Sequence, residues 1–192
     1  MSLLEIVAVI VSIAGVWLTT LRQPLCWPVG LASVLLYAKV FLDAKLYSDL
    51  LLQGFFAVMI VYGWYGWRRG SAEAGGVVSV RRVPPRDWVI GMAAGGVGTV
   101  LLGTLMASFT DAAVPWLDAG LTSFSLVAQY WTARRWIENW WVWIVVDVIY
   151  TGLFLYKELY LTAGLYALFV GLAIRGLAKW SQGREATVLS GS

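Results

Sequence analysis

The chain has 192 residues, of which 60% are hydrophobic and 13% are charged, and its mean hydropathy is +0.75. Water-soluble domains carry about 25% charged residues, so the composition excludes an ordinary soluble domain. Disorder is excluded as well, because twelve Trp, nine Tyr and seven Phe cannot all remain in contact with water. The composition therefore indicates an integral membrane protein.

The cysteine and histidine content excludes several kinds of chemistry. Cys26 is the only cysteine in the sequence and there is no histidine, so neither an intrachain disulfide nor a Ser-His-Asp hydrolase is available. Zinc chemistry is excluded for the same reason, and we expect no cofactor and no metal.

Seven stretches are apolar and long enough to cross a hydrocarbon core of roughly 30 Å. In chain order they are residues 2–21, 27–42, 47–67, 88–109, 114–132, 139–156 and 159–177. Charged residues or a helix breaker separate them, for example Arg22 and Pro24 after the first stretch and Arg134 and Arg135 after the fifth. The sequence thus predicts an all-α membrane protein with seven transmembrane helices.

The charged residues between these spans predict the orientation in the membrane. Residues 68–87 read as a flexible basic linker, and residues 181–192 read as a short polar tail that we expect to be disordered. If the spans alternate, the side of the N-terminus carries two Lys or Arg residues and the other side carries eleven. This bias predicts an outward N-terminus and a cytoplasmic C-terminus. Because the basic residues follow one interface and form no dense patch, we expect contact with lipid and not with nucleic acid.

An internal repeat organises the spans. Aligned without a gap so that Trp27 matches Trp140, the segment 27–67 agrees with 140–180 at eleven of forty-one positions, the last pairing Trp67 with Trp180. An even number of crossings separates equivalent helices, so the repeats run parallel, and such transporters bind substrate near the midplane between repeats. The predicted organisation is a first three-helix repeat (1–67), the basic linker (68–87), a linker helix (88–109), a second repeat (110–180) and the tail (181–192).

The linker helix is rich in glycine, which favours close packing of another helix or an oligomer contact. The glycines are Gly91, Gly95, Gly96, Gly98 and Gly103. A phosphate-binding loop is the poorer interpretation, because no strand precedes them and no Lys-Ser/Thr pair follows.

One face of the sixth span breaks the symmetry of the repeat. Trp140, Trp143, Asp147, Tyr150 and Phe154 follow one another at helical spacing. Their counterparts in the second span form the list Trp27, Gly30, Val34, Tyr37 and Phe41. A carboxylate halfway along an apolar helix costs about 3 kcal/mol, so Asp147 must face a partner, water or a ligand.

The roles of these residues have competing interpretations. Asp147 is either a substrate group or a structural partner of a neighbouring Tyr or Gln. Trp143 lies one turn deeper than the interface and is a candidate for stacking on a substrate ring. Six other tryptophans lie where an aromatic belt is expected, which favours lipid anchoring: Trp64, Trp67, Trp136, Trp140, Trp141 and Trp180.

Further polar residues lie at membrane depth. Gln53 and Gln129 are costly to leave unpaired in apolar surroundings, so each is a candidate contact for substrate or water. Tyr130 and Tyr150 add hydroxyl groups. One acid, several amides and hydroxyls and many rings suit a small ligand with a flat ring, hydroxyl groups and a positive charge.

Several of these segments resemble the PnuC family of bacterial vitamin transporters. Trp140, Trp143 and Asp147 fit the family motif W-x-x-W-x-x-x-N/D, and the segments 156–166 and 176–180 are similar too. The Trp27-Pro28-x-Gly30 start of the second span and the segment 63–67 extend the resemblance over nearly the whole chain.

The resemblance implies a 3+1+3 helix architecture like that of SWEET sugar transporters, assembled as a homotrimer in the bacterial inner membrane. It implies facilitated diffusion of nicotinamide riboside for NAD biosynthesis, with a cytoplasmic nicotinamide riboside kinase trapping the product. Through the motif it assigns Trp140, Trp143 and Asp147 to the substrate site, and more loosely Gln53, Gln129, Tyr130 and Tyr150. Relatives that carry thiamine or riboflavin share the motif, so these cargoes stay open.

Two other classes of function compete with transport. A membrane-embedded enzyme needs a cluster of catalytic groups, and no histidine or second buried acid accompanies Asp147. An accessory structural subunit needs neither an intramembrane acid nor an asymmetric repeat. We therefore expect a transporter and no enzyme, and the lone acid gives little support to ion coupling.

Overall fold

The computed structural model describes residues 3–43, 47–73, 78–109 and 114–190. Over these ranges the secondary structure is helical apart from one isolated β-bridge. The helices are α1 (Leu3–Thr20), α2 (Cys26–Asp43), α3 (Tyr47–Glu73), α4 (Pro85–Phe109), α5 (Pro115–Ala133), α6 (Asn139–Tyr156) and α7 (Tyr160–Ser190). Each predicted span overlaps one helix, so the all-α prediction is confirmed.

Five of the seven described helices are long and apolar enough to cross a membrane by composition alone; α3 and α5 are not among them. The lower hydropathy of α5 is explained by its packing. This helix contacts α3, α4 and α6 and buries the polar residues Ser123, Ser125 and Thr132. A helix enclosed by protein does not need a lipid-soluble surface.

The helix ends differ from the predicted ones at the proposed linker and tail. α3 continues to Glu73 and α4 begins at Pro85, where the missing backbone N–H of proline costs no hydrogen bond. The expected disorder of residues 181–190 is wrong, because α7 continues to Ser190. This segment has no proline and contains good helix formers such as Gln182 and Glu185.

Six of the described helices pack in a closed ring, and α4 lies outside it. Around the ring α1 contacts α2, α2 contacts α3, α3 contacts α5, α5 contacts α6, α6 contacts α7, and α7 contacts α1. The helix outside the ring packs on α5. We call α1–α3 the first unit and α5–α7 the second unit; the α3–α5 and α7–α1 contacts are the two seams between them.

The glycines of α4 form its packing face against α5. A Cβ atom on Gly91 would lie 2.6 Å from the ring of Trp131, and one on Gly103 would lie 2.4 Å from the ring of Trp116. Phe124 and Ser123 occupy the equivalent space at Gly95 and Gly98, whereas Gly96 has no such neighbour. Four of these five glycines therefore let side chains of α5 reach the backbone of α4, and three of those side chains are aromatic.

The first unit is locked by an indole ring in a glycine notch. Trp27 of α2 inserts its six-membered ring at Gly63 of α3, where a Cβ atom would lie 2.2 Å from the ring. Trp67 packs edge-on against Trp27, with ring centroids 5.3 Å apart and planes at 83°. Both rings are buried.

The second unit repeats this arrangement at the matching positions of the sequence repeat. Trp140 of α6 inserts at Gly176 of α7, where a Cβ atom would lie 2.5 Å from its ring. Trp180 packs edge-on against Trp140, again with centroids 5.3 Å apart and planes at 86°. The repeat seen in the sequence is therefore a repeat of packing geometry.

The two units meet with the same hydrogen bonds exchanged across both seams. Trp67 Nε1 donates to the Thr132 and Ala133 carbonyls, and Trp180 Nε1 donates to the Thr19 carbonyl, which is the equivalent acceptor. The Trp67 and Trp180 rings lie 5.9 Å apart. The corresponding parts of α3 and α7 thus meet at one end of the bundle, called here the tryptophan end, and the units run parallel.

Candidate functional site

A cavity of about 1340 Å³ lies inside the ring of helices and is lined by both units. It follows α2 from Trp27 to Phe41 and α6 from Trp140 to Phe154. At the tryptophan end the fully buried rings of Trp67 and Trp180 lie beyond it. Glu5, Asp118 and Glu158, which lie near the opposite helix ends, line its other end. We call this other end the mouth.

The asymmetric faces of α2 and α6 both line this one cavity. All five residues of each face are among its lining residues. Gly30 and Val34 therefore face the same space as their counterparts Trp143 and Asp147. Both differences between these two faces therefore lie inside the cavity, where a ligand would meet them.

Asp147 is a buried carboxylate that has no hydrogen-bonding partner among the residues that the structure describes. Its side chain lines the cavity and the residue is 6% exposed. Among the described residues its carboxylate forms no hydrogen bond and no ion pair. The alternative that Asp147 pairs with a neighbouring Tyr or Gln therefore finds no support in the hydrogen bonding of this structure. A buried acid left without a partner is costly, which favours water or a bound cation beside it.

Trp143 is held by a hydrogen-bond network that leaves its ring face available. Its Nε1 donates to Thr132 Oγ1 over 3.3 Å, and Thr132 Oγ1 lies 3.0 Å from Asn139 Oδ1. Asn139 is fully buried and donates from Nδ2 to the Trp136 carbonyl. Because the indole N–H is already engaged, the contribution left to Trp143 is stacking.

The belt interpretation is wrong for most of the tryptophans near the tryptophan end. Trp67, Trp140 and Trp180 are buried in the packing between helices described above, and Trp136 is buried against Tyr130 and Trp131. Trp141 is 59% exposed and fits the predicted lipid anchor.

The other predicted site residues divide into two groups. Gln53, Gln129 and Tyr150 line the cavity together with Trp140. Tyr130, the remaining predicted site residue, is not among the residues that line the cavity. It lies on the α3–α5 seam, stacked on Tyr62 with ring centroids 6.2 Å apart.

Aromatic rings form one wall of the cavity in the second unit. Tyr150 stacks on Phe154, and Tyr166 of α7 lies 4.8 Å from Tyr150 and 5.1 Å from Phe154. Phe169 packs edge-on against Tyr166. All four rings line the cavity, so a planar ligand meets a continuous aromatic surface there.

The sequence interpretation missed the residues that position this site. Thr132 and Asn139 were not candidates, although they orient Trp143. The repeat contained the signal for Thr132, because it matches Thr19 when the same ungapped alignment is extended. Asn139 has no such signal, since its counterpart is Cys26.

The described lining of the cavity carries acidic residues and no basic ones. Glu5, Asp118, Asp147 and Glu158 line it, and no Lys or Arg is among the lining residues that the structure describes. Clefts lined by one sign of charge concentrate ligands of the opposite sign. The cavity is therefore suited to a cation with a flat ring and is unfavourable for an anion.

Comparison with known proteins agrees with this geometry. The chain matches the family model described as "Nicotinamide mononucleotide transporter" over residues 2–182. It is 26% identical to the nicotinamide riboside transporter PnuC of Escherichia coli (strain K12), over 94% of this chain and 85% of that protein. It is 30% identical to the riboflavin/roseoflavin transporter RibM of Streptomyces davaonensis, over 80% of this chain and 73% of that protein.

A solved structure extends the comparison to the fold. The crystal structure of the vitamin B3 transporter PnuC superposes with a TM-score of 0.77 and 25% sequence identity, covering 95% of this chain and 82% of that one. Family, relatives and fold agree on a multi-pass membrane transporter and on no enzyme. The chain belongs to the nicotinamide mononucleotide transporter family, and the PnuC proteins are among the relatives to which it is similar.

Proposed function

We propose that this protein carries nicotinamide riboside, a pyridinium nucleoside with one positive charge, into the bacterial cytoplasm. The observation that supports this cargo best is the unpaired, buried carboxylate of Asp147 in a cavity whose described lining has no Lys or Arg. The pyridinium ring stacks on Trp143 with its charge beside Asp147, and Gln53 and Gln129 offer amide groups to the ribose hydroxyls. The similarity to the nicotinamide riboside transporter PnuC of Escherichia coli supports the same cargo.

The same charge distribution favours the nucleoside over its phosphorylated form. A phosphate monoester adds a charge of about −1.5 to −2 at pH 7. In this cavity that group meets acids and no described cation, so nicotinamide mononucleotide is a poor cargo despite the name of the family. Phosphorylation by a cytoplasmic nicotinamide riboside kinase then prevents the product from leaving by the same route.

The proposed mechanism is facilitated diffusion by alternating access. The units rock against each other across the two seams, so that the cavity faces the mouth in one state and the tryptophan end in the other. Asp147 is the one acid of the described lining that lies midway along its helix, which favours transport without a coupled ion. By the charge bias of the loops, the tryptophan end faces the cytoplasm and the N-terminus faces outward.

We also propose a homotrimer. Beyond its face against α5, α4 exposes large apolar side chains, which lipid or another copy of the chain would cover. Mass measurement of the detergent-solubilised protein tests this state, and a monomer would contradict it.

Binding to the purified protein tests the cargo. By calorimetry we expect nicotinamide riboside to bind and nicotinamide mononucleotide not to bind. Asp147→Asn is isosteric and should weaken binding at least tenfold, equivalent to about 1.4 kcal/mol. Asp118→Asn is the matched control, because it removes the same charge at the mouth and should change affinity by less than about threefold.

The alternative cargoes give different results in the same experiment. Riboflavin is supported by the likeness to RibM and by the continuous aromatic wall, but it is uncharged, so its binding would not depend on Asp147. Thiamine is a cation and would depend on Asp147 as nicotinamide riboside does. Tighter binding of either one would overturn the proposed cargo.

Transport into liposomes tests the mechanism. Uptake of nicotinamide riboside should stop at equal concentrations inside and outside and should not respond to a proton or sodium gradient. Accumulation driven by either gradient would exclude facilitated diffusion.

A further inference from the structure

A second cavity, of about 280 Å³, lies beside the α3–α5 seam at the tryptophan end. Its lining includes three arginines and two tyrosines: Arg81, Arg134, Arg135, Tyr62 and Tyr65. No acidic residue is among the lining residues that the structure describes. We call it the basic pocket; its charge is opposite to that of the central cavity.

Backbone pairing fixes the arginine of the linker at this pocket. Arg81 N–H donates to the Arg135 carbonyl over 3.0 Å, and Ile137 N–H donates to the Arg81 carbonyl over 3.0 Å. Two residues further on, Val83 N–H donates to Glu138 Oε2 over 2.9 Å. Arg81 is therefore held against the turn between α5 and α6 by two hydrogen bonds of its own backbone and by the one of Val83.

Two arginines of the pocket, Arg81 and Arg134, form no ion pair with any residue that the structure describes. The Arg134 guanidinium lies over the Trp136 ring, 5.2 Å from its centroid, and Nη1 lies 3.5 Å from the Tyr62 hydroxyl oxygen, to which it donates. The Trp136 ring and the Tyr62 hydroxyl orient the guanidinium and carry no negative charge, and Asp87 attracts it without forming an ion pair.

The left-handed backbone conformation of Arg135 belongs to a turn that recurs in the first unit. Its φ of 64° is matched by the φ of 57° at Arg22, its counterpart in the turn between α1 and α2. Both turns close in the same way, since Gln23 N–H donates to the Leu18 carbonyl where Trp136 N–H donates to the Trp131 carbonyl. The conformation belongs to the repeated turn, and Arg22 is therefore a control position outside the pocket.

We propose that the basic pocket binds the phosphate group of a phosphate-bearing anion, either a lipid headgroup or a soluble phosphate. The planar guanidinium matches phosphate oxygens in a bidentate way, and Arg is the residue that proteins favour for this contact. At 280 Å³ the pocket is just below the size range of roughly 300 to 1,000 Å³ for sites that enclose whole drug-sized ligands. It therefore holds a phosphate and leaves the remainder of the ligand outside.

The position of the pocket is compatible with both sources of phosphate. It lies at a helix end, where basic pockets between membrane helices receive lipid headgroups. It is also formed by both units together with the linker, so a bound phosphate would add a further connection beside the α3–α5 seam.

Two probes and two double variants test the proposal in the full chain, purified in a neutral detergent. The first probe is inorganic phosphate, titrated by calorimetry at constant ionic strength with chloride as the balancing anion. The second is phosphatidylglycerol, with diacylglycerol as its phosphate-free control, counted on the protein by native mass spectrometry. Arg81→Gln/Arg134→Gln removes two charges from the pocket, and Arg22→Gln/Arg82→Gln removes two charges at the same end outside it.

We expect at least one phosphate probe to bind the wild type. Arg81→Gln/Arg134→Gln should weaken that binding about tenfold or more, since charged hydrogen bonds to phosphate are lost, and Arg22→Gln/Arg82→Gln should weaken it by less than about twofold. Binding of phosphate alone identifies a soluble ligand, and binding of the lipid alone identifies a headgroup. No binding, or equal weakening in both variants, overturns the proposal. Nicotinamide riboside titrated into the same samples reports separately on the central cavity and on folding.

Discussion

The two three-helix units are alike where they pack and unlike where they line the cavity. Trp27 in its glycine notch has the same geometry as Trp140 in the other unit, with equal ring separations. In the first unit, however, Gly30 packs closely against α1, where a Cβ on Gly15 would lie 3.6 Å from Gly30 backbone atoms. At the corresponding place Trp143 reaches across to α5 and donates to Thr132.

The difference extends to the polar groups behind these positions. Thr132 is within hydrogen-bonding distance of Asn139 and accepts from Trp143. Thr132 and its counterpart Thr19 both bond to their own helices, at the equivalent Ala128 and Gly15 carbonyls, but the first unit has Gly30 at the position of Trp143 and so offers Thr19 no indole. The common features hold the helices together, and the features confined to the second unit form the candidate ligand site. A parallel repeat thus allows both units to keep the same helix packing while one of them carries the residues of the candidate ligand site.

The largest expected effect comes from exchanging the acid between the two faces. Asp147→Val removes the buried charge and should weaken binding of nicotinamide riboside by about 2 to 3 kcal/mol, the contribution of a charged contact. Adding Val34→Asp restores a carboxylate to the same cavity on the opposite face. We expect this double variant to stay more than about tenfold weaker than wild type, because Gly30 offers no ring face beside the new acid.

Calorimetry on both variants decides this prediction. Full recovery of affinity in the double variant would show that the faces are interchangeable, and the asymmetry at Trp143 would then have no part in binding. Circular dichroism on the same samples checks that both variants fold.

The next largest effect, a loss of stability, is expected at the glycine notches that the two units share. Gly63→Ala and Gly176→Ala each place a methyl group within 2.5 Å of a buried indole ring. Each should destabilise the protein by about 1 to 3 kcal/mol, the usual cost of overpacking, and the two effects should be similar. Thermal unfolding followed by circular dichroism measures both.

Gly54→Ala and Gly171→Ala are the matched controls for these notches. They lie on the same two helices, α3 and α7, and a Cβ atom there meets nothing within 4 Å. Alanine is the better helix former by about 1 kcal/mol, so these controls should leave the unfolding temperature unchanged or raise it. A large loss at Gly63 with none at Gly176 would contradict the equivalence of the two notches.

The sequence predicts the fold well because its signals are repeated and local. Hydropathy locates all seven helices, and the ungapped alignment of the repeats pairs Trp27 with Trp140 and Gly63 with Gly176 before any contact is known. The site is predicted less completely. Helical spacing brings Asp147 and Trp143 onto one face, but the side that a neighbouring helix presents depends on packing.

Tyr130 and Gln129 illustrate this limit. They are adjacent in the sequence and both polar, yet Gln129 lines the cavity and Tyr130 lies on a seam. Adjacent residues of a helix point about 100° apart, and only the position of α3 determines which of them faces inward. The burial of Trp67 and Trp180 was missed for a related reason, since their acceptors lie in the other unit.

A smaller effect is expected from the residue behind Trp143. Thr132→Val keeps the shape but removes the hydroxyl that accepts from the indole, so Trp143 loses its fixed orientation. Affinity for nicotinamide riboside should fall by about 1 kcal/mol, typical of one neutral hydrogen bond. Thr19→Val makes the same change in the first unit, where no indole depends on the hydroxyl, and should leave affinity unchanged. Equal losses in both variants would contradict the positioning role.

The smallest effects separate the two seams. Trp17 lies under the Arg175 guanidinium at 4.1 Å across the α7–α1 seam, and the equivalent pair across the α3–α5 seam is Tyr130 on Tyr62. Trp17→Leu and Tyr130→Leu each remove one ring contact, so each should lower stability by about 0.5 to 1 kcal/mol without changing affinity. Thermal unfolding and calorimetry measure the two quantities. A tenfold loss of affinity in Tyr130→Leu but not in Trp17→Leu would show that Tyr130 contacts the ligand. A purely structural seam residue should behave as Trp17 does.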